Sequence, residues 1–462
     1  MQTEILENRV FTEIALGDSA SLTKTITMDD ISLFSRVTGD VNPAHLDKDY
    51  AASDLFHHIV AQGMLTAGLI SGVLGTKLPG PGTVYLGQDL KFRAPVNPGD
   101  VVTATVTVTE LRPEKKQVVL DCTCINQDGK EVISGKATVL APTEKVSRPA
   151  MTLPEVRLLR HSFLRDLLTK ATAGKAMPTA IAYPCDEVSL LAATEAASRG
   201  LIDPILVGPE QLIRDTAAKY KMDISKFRIV PAQDSEEAAR KAVELAHNGT
   251  AKALMKGSLH TEELLHEVVQ KGTGLRTGQR LSHVFVMDVP SYPKPLLITD
   301  AAVNIAPDLQ VKASIVQNAI NLAHVFGIET PRVAVLAAVE TVNPDMQATL
   351  DAAALCKMAD RGQITGGIVD GPLAFDNAIS AAAAKQKHIT SPVSGQADIL
   401  VVPEIEAGNM LAKQLTFMAD ADAAGIVLGA SVPIILTSRA DNDRARLASC
   451  AIAVMMAGAA NG

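Results

Sequence analysis

The sequence predicts two domains of different fold class, an α+β domain followed by a larger α/β domain. A chain of 462 residues is too long for one ordinary hydrophobic core. Before about residue 145, apolar and polar residues alternate with period two, which is typical of an antiparallel sheet. After residue 155, short apolar runs alternate with amphipathic helical runs, which is typical of a parallel sheet covered by helices on both faces.

Composition and charge narrow the class of protein. Hydrophobic residues make up 47% of the chain and charged residues 20%, which indicates a well-packed folded protein. The net charge of −8 argues against a nucleic-acid or anionic-membrane partner, because no positive field would attract a polyanion. The N-terminus lacks the pattern of a signal peptide, and no apolar stretch reaches the roughly 20 residues that span a bilayer. We therefore expect a cytoplasmic protein.

The five cysteines indicate neither a disulfide framework nor a metal site. Cys122 and Cys124 lie two residues apart in an alternating run, so both side chains point to the same face of one strand. No paired Cys or His elsewhere has the spacing of zinc ligands. We expect structural thiols and no bound metal.

In the first domain, residues 101–111 predict a strand in which threonines at odd positions alternate with Val and Ala. Two further β-rich runs follow, with Asp128-Gly129 between them, a pair that suits a tight hairpin turn. Upstream, residues 59–78 form one long apolar helix candidate, which Pro79-Gly80 closes. One helix beside an antiparallel meander is an α+β arrangement.

In the second domain, strand and helix patterns alternate to the end of the chain, as one large or two medium α/β units. Asp234 and Glu237 resemble a capping box that starts a helix, and Gly249 fits the position that ends it. Another helix is predicted over 308–326. The predicted boundaries are 1–142 for the first domain, 143–154 for a proline-containing linker and 155–462 for the second domain.

The first candidate site lies in SRVTGDVNPAHLDKDYA, residues 35–51. Asp40 and His45 are separated by Asn42-Pro43, and the proline prevents one straight helix, so the two side chains can converge. A carboxylate beside an imidazole supplies a base and an acid near neutral pH, which the addition of water to a double bond requires. The alternative is a turn in which Asp40 caps a short helix and His45 is half exposed.

The strings TGDVNPAHLD, AQGML and YLGQDLKFRAPVNPGD resemble the MaoC-type (R)-specific enoyl-CoA hydratases over roughly residues 15–140. The resemblance implies a hot-dog fold, a long helix wrapped by an antiparallel sheet. It implies that Asp40 and His45 activate water and deliver a proton to Cα. The amide of Gly63 would hold the thioester oxygen, and Ser71 would be a supporting polar residue. The family commonly has His before that glycine, where this chain has Gln62, so some local support could be lost.

The second half contains Gly-, Ser- and Arg-rich turns at predicted strand ends, where α/β folds bind ligands. These turns are MKGS (255–258), GLRTGQR (274–280), DGPLAFD (370–376), EAGN (406–409) and TSRAD (437–441). Ser438-Arg439 is the best-placed pair, because a hydroxyl and a bidentate guanidinium suit phosphate. In the alternative, Ser438 only caps the last helix and Arg439 pairs with Asp441.

These turns resemble the phosphate acetyl/butyryltransferases, nearest the butyryl type, over essentially all of 155–462. The resemblance implies an α/β fold of two subdomains with a cleft, here about 155–297 plus 432–462 and about 298–431. It implies transfer of an acyl group from CoA to phosphate without a metal, with Ser438 and Arg439 at the reacting groups.

Other residue roles in the second half fit the family pattern less closely. Asp441 is the nearest candidate to deprotonate the CoA thiol in the reverse direction, although its spacing departs from the acetyl-type pattern. A further phosphate-binding Arg of the family falls near His266, and Arg276 or Arg280 could substitute for it.

The leading hypothesis is therefore a bifunctional enzyme whose substrates are CoA thioesters and inorganic phosphate, with no permanently bound cofactor. The resemblances also imply a homo-oligomer. The alternative is an active hydratase that carries a non-catalytic acyl-CoA-binding or assembly module as its second half. An isocitrate-dehydrogenase-like α/β enzyme is disfavoured, because the sequence shows no clustered metal-binding carboxylates.

Overall fold

The computed structural model of the chain describes residues 5–151, 156, 158, 163–436 and 443–459. The chain divides into two compact units, Met1–Leu158 and Leu159–Gly462. The division falls just beyond the predicted linker. Within the described residues, no helix is both long enough and apolar enough to cross a membrane.

The first unit contains four α-helices and seven strands among the described residues. The helices are α1 (Met28–Thr38), α2 (Pro43–Leu46), α3 (Lys48–Ser53) and α4 (Gly63–Thr76). The strands are β1 (Ile5–Glu7), β2 (Ser19–Thr25), β3 (Val84–Phe92), β4 (Val101–Arg112), β5 (Gln117–Ile125), β6 (Glu131–Leu140) and β7 (Ser147–Pro149). Five of these strands form an antiparallel sheet in the order β2-β4-β5-β6-β3.

The sheet packs on the long helix α4, which confirms the predicted hot-dog fold. In β4 the Val and Ala side chains from Val102 to Val108 are buried, while the alternating threonines are more exposed, as the period-two pattern predicts. Ile70 and Val73 of α4 are completely buried in the same hydrophobic core. Each such side chain stabilises the fold by about 1.5–3 kcal/mol relative to leaving it exposed.

Two boundaries in the first unit differ from prediction. The long helix begins at Gly63 instead of residue 59, because Gln62 has extended backbone angles and is the N-cap. Residues Ser147–Pro149, predicted as linker, form β7 and pair antiparallel with β1. Backbone hydrogen bonding to the start of the chain therefore holds part of the polar segment in a small two-stranded sheet.

Cys122 and Cys124 are buried free thiols on β5, as the C-x-C pattern predicts. Burial raises the pKa of Cys122 to about 11 and that of Cys124 to about 12. Both are therefore protonated at neutral pH, which fits structural thiols.

The second unit contains eleven α-helices and eleven strands among the described residues. Its helices are α5 (Phe163–Ala171), α6 (Glu187–Ser198), α7 (Glu210–Lys219), α8 (Ser235–His247), α9 (Thr261–Val268), α10 (Leu309–Val325), α11 (Gln347–Asp360), α12 (Phe375–Ile379), α13 (Ala381–Gln386), α14 (Ile405–Met418) and α15 (Asp443–Ala459). Its strands are β8 (Met177–Ala182), β9 (Ile202–Gly208), β10 (Arg228–Pro231), β11 (Ala253–Lys256), β12 (Ser282–Asp288), β13 (Leu296–Thr299), β14 (Arg332–Leu336), β15 (Ile368–Leu373), β16 (Ile399–Val401), β17 (Asp422–Leu428) and β18 (Ile434–Ile435).

These strands form one sheet in the order β10-β9-β8-β11-β18-β17-β12-β13-β16-β14-β15. The first five are parallel to each other, and so are the last four. The first block contains the strands of residues 177–256 together with β18 from the C-terminal segment, and the last block contains strands between residues 296 and 401. The central strands β17 and β12 pair antiparallel with their neighbours. The predicted subdomain boundary at residue 297 falls inside β13.

The N-cap and C-terminal glycine of α8 are confirmed, whereas the reciprocal bond of a capping box is not made, because the Glu237 carboxylate accepts from the Gln233 amide at 2.7 Å and not from that of Asp234. Asp234 is the N-cap of α8 and accepts a hydrogen bond from the Glu237 amide, while Gly249 follows with φ +79°. Asp308 likewise caps α10, whose range matches the predicted helix over 308–326.

Candidate functional sites

The Asp40–His45 segment connects the end of α1 to α2. Helix α1 ends at Gly39, which has a left-handed conformation (φ 78°) that glycine adopts without strain. The Asn42 side chain then caps α2 and accepts a hydrogen bond from the Ala44 amide, with Pro43 at the first helical position. Asn42, and not Asp40, is thus the cap. His45 lies within α2, and its ring faces the carboxylate of Asp40, which precedes that helix.

One hydrogen bond determines the tautomer of His45. Its Nδ1 lies 2.7 Å from the carbonyl oxygen of Val60, which can only accept, so Nδ1 carries the hydrogen. The neutral ring therefore presents an unprotonated Nε2, which lies 3.8 Å from Oδ2 of Asp40. The His45 side chain is 14% exposed and that of Asp40 is 42% exposed, so water reaches the pair. Asp40 and His45 are brought together, as predicted.

His45 forms part of the wall of a cavity of about 480 Å³. The rest of the wall is largely apolar and includes Val60, Phe92, Pro95, Val96, Val132 and Ile133. Cavities of this size and character bind small ligands and exclude bulk water from them. A base and an acid at the edge of an apolar cavity can act on a substrate carbon chain inside it.

Gly63 lines the same cavity as the first residue of α4. The amide of a first helical residue has no partner within the helix, so it can donate a hydrogen bond to a ligand. A Cβ at this position would lie 2.7 Å from Cε1 of Phe92, so any larger residue would displace that ring from its place beside the start of α4. The predicted oxyanion donor therefore faces the cavity that His45 lines.

Gln62, which stands where the family commonly has His, is only 3% exposed. Its Nε2 donates hydrogen bonds to Oγ of Ser35 at 2.8 Å and to the carbonyl oxygen of Ile31 at 3.3 Å. These bonds tie the start of α4 to α1. The substitution therefore retains polar support beside Gly63, although Oε1 of Gln62 has no hydrogen-bond partner in the described chain.

In the second unit, the turn after β11 packs against the end of β8. A Cβ on Gly257 would lie 2.5 Å from the carbonyl oxygen of Tyr183, so this approach requires glycine. Ser258 Oγ donates a hydrogen bond to the same carbonyl oxygen at 2.8 Å. Strand β18 runs parallel to β11, with Ile435 opposite Met255, so the chain leaves β18 at this edge. The MKGS turn therefore lies beside the strand that leads into the TSRAD segment.

Arg276 and Arg280 lie at a different edge of the sheet. Arg276 forms a bridge with Ala430, which follows β17, and Arg280 precedes β12. Because β18 runs antiparallel to β17, the chain leaves β18 away from that edge. Both arginines are exposed. His266 is exposed on α9 and contacts Gln270 (Nε2 to Nε2, 2.8 Å).

His283 of β12 is a buried titratable group near the middle of this sheet, only 2% exposed. Burial lowers the pKa of His283 to about 4, and the buried carboxylate of Asp300 opposes this shift. Its Nδ1 has no hydrogen-bond partner in the part of the chain that the structure describes. The ring is therefore neutral at physiological pH. No pattern in the sequence had distinguished it from other strand residues.

Comparison with known proteins assigns both units. The MaoC like domain model matches residues 15–127, and the phosphate acetyl/butaryl transferase model matches residues 233–454. The phosphate acetyltransferase of Rhizobium meliloti is 60% identical over 291 residues, which are 63% of this chain and 92% of that protein. The chain belongs to the phosphate acetyl/butyryltransferase family. Its first unit is a MaoC-like domain, so the chain is a fusion of two families, as predicted.

The second unit, from here the transferase domain, is not nearest the butyryl type. The phosphate butyryltransferase of Clostridium acetobutylicum is 44% identical over 293 residues, 63% of this chain and 97% of that protein. This is below the identity to the Rhizobium acetyltransferase, which corrects the expectation. The unliganded R-hydratase PhaJ1 from Pseudomonas aeruginosa is 41% identical, covering 34% of this chain and 99% of that chain, with a TM-score of 0.33.

Several predicted site residues of the fusion are not placed in a site. Ser438, Arg439 and Asp441 of the transferase domain lie outside the described residues. In the MaoC-like domain, Ser71 is exposed on α4 and does not line the cavity. It lies eight residues after Gly63, about 12 Å further along the helix axis at 1.5 Å per residue. Within the described ranges, no three His, Cys, Asp or Glu side chains form a group that could hold a metal ion.

The MaoC-like domain also contains cavity residues that the sequence had not identified. Thr66, Phe92 and Arg93 all line the cavity. Thr66 follows Gly63 by three residues, and this spacing on a helix places two residues on one face. The string GMLT therefore already indicated that Thr66 shares a helix face with Gly63. Phe92 and Arg93 come from the end of β3, which reaches the cavity only through the pairing of the sheet.

Proposed function

We propose that the MaoC-like domain catalyses the reversible hydration of trans-2-enoyl-CoA to (R)-3-hydroxyacyl-CoA. The observation that carries the proposal is the joint placement of His45 and Gly63 on one apolar cavity, with Asp40 beside the imidazole. The resemblance to MaoC-type hydratases supplies the substrate class. The cavity supports that class, because an enoyl chain is apolar and its thioester oxygen can accept a hydrogen bond from the Gly63 amide.

The chemistry follows from the protonation states. A water molecule between Nε2 of His45 and the Asp40 carboxylate gives up one proton to this pair, and its oxygen bonds to C3 of the enoyl group. The electron pair of the double bond moves toward the thioester oxygen, where the amide of Gly63 stabilises the enolate. The His45 and Asp40 side chains then return the proton to C2. One water has been added, and both side chains recover their starting states.

The stereochemistry of the product tests this proposal. His45 lines the cavity and Asp40 lies beside its Nε2, so one pair of groups handles the proton, and we expect water to add to one face of the double bond only. With crotonyl-CoA, the intact chain should form 3-hydroxybutyryl-CoA that an (S)-specific 3-hydroxyacyl-CoA dehydrogenase cannot oxidise. Formation of a racemic or (S) product would contradict the (R)-specific assignment.

We also propose that the transferase domain transfers a short acyl group, acetyl in the first instance, from CoA to phosphate. A phosphate oxygen attacks the thioester carbonyl, the C–S bond breaks, and CoA leaves as a thiolate that takes up a proton. Ser438 and Arg439 are the residues proposed to act at the reacting groups, with Asp441 as the candidate proton carrier. Arg276 and Arg280 lie at the opposite edge of the sheet from the chain that leaves β18, so we do not propose them as replacements for the family's further phosphate-binding Arg.

The decisive measurement is phosphate-dependent release of free CoA by the intact chain. A series from acetyl-CoA to butyryl-CoA, with and without phosphate, is followed with a thiol reagent. We expect release only with phosphate, and fastest with acetyl-CoA, because the domain is more similar to the acetyl-type relative than to the butyryl-type relative. If no short acyl-CoA supports release while hydration proceeds, the second half is an acyl-CoA-binding module.

Cofactor use and assembly complete the proposal. Both reactions as written need only water, phosphate and CoA thioesters, so both activities should survive dialysis against EDTA. We propose a homo-oligomer, because the edge strand β3 leaves Val84, Leu86 and Phe92 between 49% and 54% exposed. Light scattering on the intact chain should give a mass of at least two copies, and a monomer would contradict this.

A further inference from the structure

Thr66 is a buried hydroxyl at the cavity of the MaoC-like domain. The residue is 1% exposed and lines the cavity, yet its Oγ1 has no hydrogen-bond partner in the described ranges. A threonine within a helix often bonds to the carbonyl oxygen four residues earlier. Thr76 of the same helix does so, because its Oγ1 donates to the carbonyl oxygen of Gly72 at 2.7 Å. The Thr66 hydroxyl has remained free of this local bond.

The direction of α4 relates this hydroxyl to Gly63. Residues three apart on a helix share a face, and helical side chains lean toward the N-terminus. Thr66 therefore leans back over the first turn, where the amide of Gly63 is free, and both residues line one cavity. A buried hydroxyl without a partner destabilises the fold, because no hydrogen bond offsets its loss of hydration. A bound ligand that accepts its hydrogen removes this penalty.

We propose that the Thr66 hydroxyl donates a second hydrogen bond to the thioester oxygen, beside the amide of Gly63. The inference rests on the proposed hydratase function and adds to it a two-donor site for the enolate. Charge develops on that oxygen only as water adds to C3. A donor aimed at it therefore strengthens its bond in the transition state and raises kcat more than it lowers KM.

A purely structural role makes a different prediction. Oε1 of Gln62 is also buried without a described partner, and Gln62 precedes Thr66 by four residues on the same helix face. The hydroxyl could support Gln62, directly or through a buried water. Removing it would then lower the stability of the domain and leave the chemistry of the substrate carbonyl unchanged.

Three variants of the intact chain separate these roles. Thr66→Val removes the hydroxyl at nearly constant shape, Thr66→Ser retains it, and Thr76→Val removes the matched hydroxyl that bonds within the helix. We expect Thr66→Val to lower kcat for crotonyl-CoA hydration by about 10- to 100-fold with little change in KM, and Thr66→Ser to restore most of it. Thr76→Val should leave kcat unchanged. A Thr66→Val enzyme with wild-type kcat overturns the proposal.

A spectroscopic measurement tests the hydroxyl independently of turnover. Crotonyl-CoA labelled with ¹³C at the carbonyl is bound to the Asp40→Asn variant, with and without Thr66→Val. Hydrogen bonds polarise the carbonyl, so Thr66→Val should reduce the downfield shift of its resonance, and Thr66→Ser should not. An unchanged shift, with a lower unfolding temperature, overturns the proposal in favour of the structural role. If the wild-type chain fails to hydrate crotonyl-CoA, the proposed function fails, and the shift still reports on the hydroxyl.

Discussion

The two domains of this chain build their sites in different ways. In the MaoC-like domain, Asp40, His45 and Gly63 come from one short stretch in which helix ends and caps determine their positions. In the transferase domain, the MKGS turn follows β11, and β11 pairs with β18, a strand that lies some 180 residues later in the chain and is adjacent only in the sheet. A locally built site can be read from a motif. A site built from strand ends depends on strand order, which residue spacing alone does not contain.

Two histidines show the same contrast in chemistry. His45 is held through Nδ1 by the Val60 carbonyl, and its Nε2 is directed toward Asp40 at 3.8 Å. His283 is fully enclosed by the sheet, and burial lowers its pKa to about 4. The first ring lines a cavity and leaves Nε2 available to a ligand. The second ring stays neutral and belongs to the packing of the central strands.

The largest expected effect is the separation of the two activities by Asp40→Asn. The amide cannot accept the proton of water, so we expect hydration to fall by about 10³-fold or more. Phosphate-dependent CoA release, measured on the same sample, should stay at the wild-type value. Asp49→Asn, an exposed change on α3, is the matched control and should alter neither rate. A parallel loss of both activities would show that the two sites are not independent.

The corresponding experiment for the other activity is Arg439→Gln in the transferase domain. Loss of the guanidinium should slow phosphate-dependent CoA release by about 10²- to 10³-fold, because a charged donor no longer stabilises the developing oxyanion. Hydration of crotonyl-CoA should not change. Arg444→Gln provides the control, since Arg444 is 76% exposed at the start of α15. Equal losses for the two variants would contradict a specific role for Arg439.

The difference between locally built and strand-end sites explains which predictions succeeded. Alternation in β4 and the Asp234 cap depend on neighbouring residues, and the structure confirms them. Asp40 and His45 converge for the same reason, because Pro43 starts a new helix between them. Such features follow from backbone geometry within a few residues. Asp128-Gly129 does lie between β5 and β6, but the connection spans residues 126–130 and is longer than the predicted tight turn, with positive φ at Gly129 and not at Asp128.

Other features depend on tertiary contacts and were missed. Ser71 was assigned from the family pattern, but the helix carries it past the cavity that Gly63 lines. Strand β7 forms in a polar segment because β1 offers an unpaired edge. The continuity of the eleven described strands depends on the antiparallel pairing of β12 with β17, which periodicity cannot predict.

The buried His283 predicts an acid sensitivity of the transferase domain. Its folded pKa of about 4 lies below the unfolded value of about 6.5, so the unfolded chain binds a proton first as pH falls. The free energy of unfolding is not reduced by His283 above about pH 6.5, and it falls progressively as the pH is lowered to about 4. The total loss is on the order of 3 kcal/mol.

Urea unfolding followed by circular dichroism from pH 7 to pH 4.5 measures this loss. His283→Asn removes the titration, so the variant should be less stable at pH 7 but should lose less stability on acidification than the wild type. His266→Gln, an exposed change, should keep the wild-type pH dependence. Parallel pH profiles for wild type and His283→Asn would show that His283 is protonated without cost in the folded state.

The smallest expected effects come from two glycines of α4 that differ only in their surroundings. A Cβ on Gly63 would lie 2.7 Å from Cε1 of Phe92, whereas a Cβ on Gly68 meets nothing within 4 Å. Phe92 is 54% exposed, so its ring can move aside and Gly63→Ala should still fold. The displaced ring and helix start should shift the oxyanion amide and slow hydration by about 10-fold.

Gly68→Ala should instead stabilise the MaoC-like domain by about 0.5–1 kcal/mol, because alanine restricts the unfolded chain and favours the helix. Its hydration rate should equal that of the wild type. Calorimetry and the crotonyl-CoA assay on both variants measure the two effects. If Gly68→Ala slows hydration as much as Gly63→Ala does, the rigidity of α4 limits the rate. The position of the Gly63 amide at the thioester oxygen would then not explain the effect of Gly63→Ala.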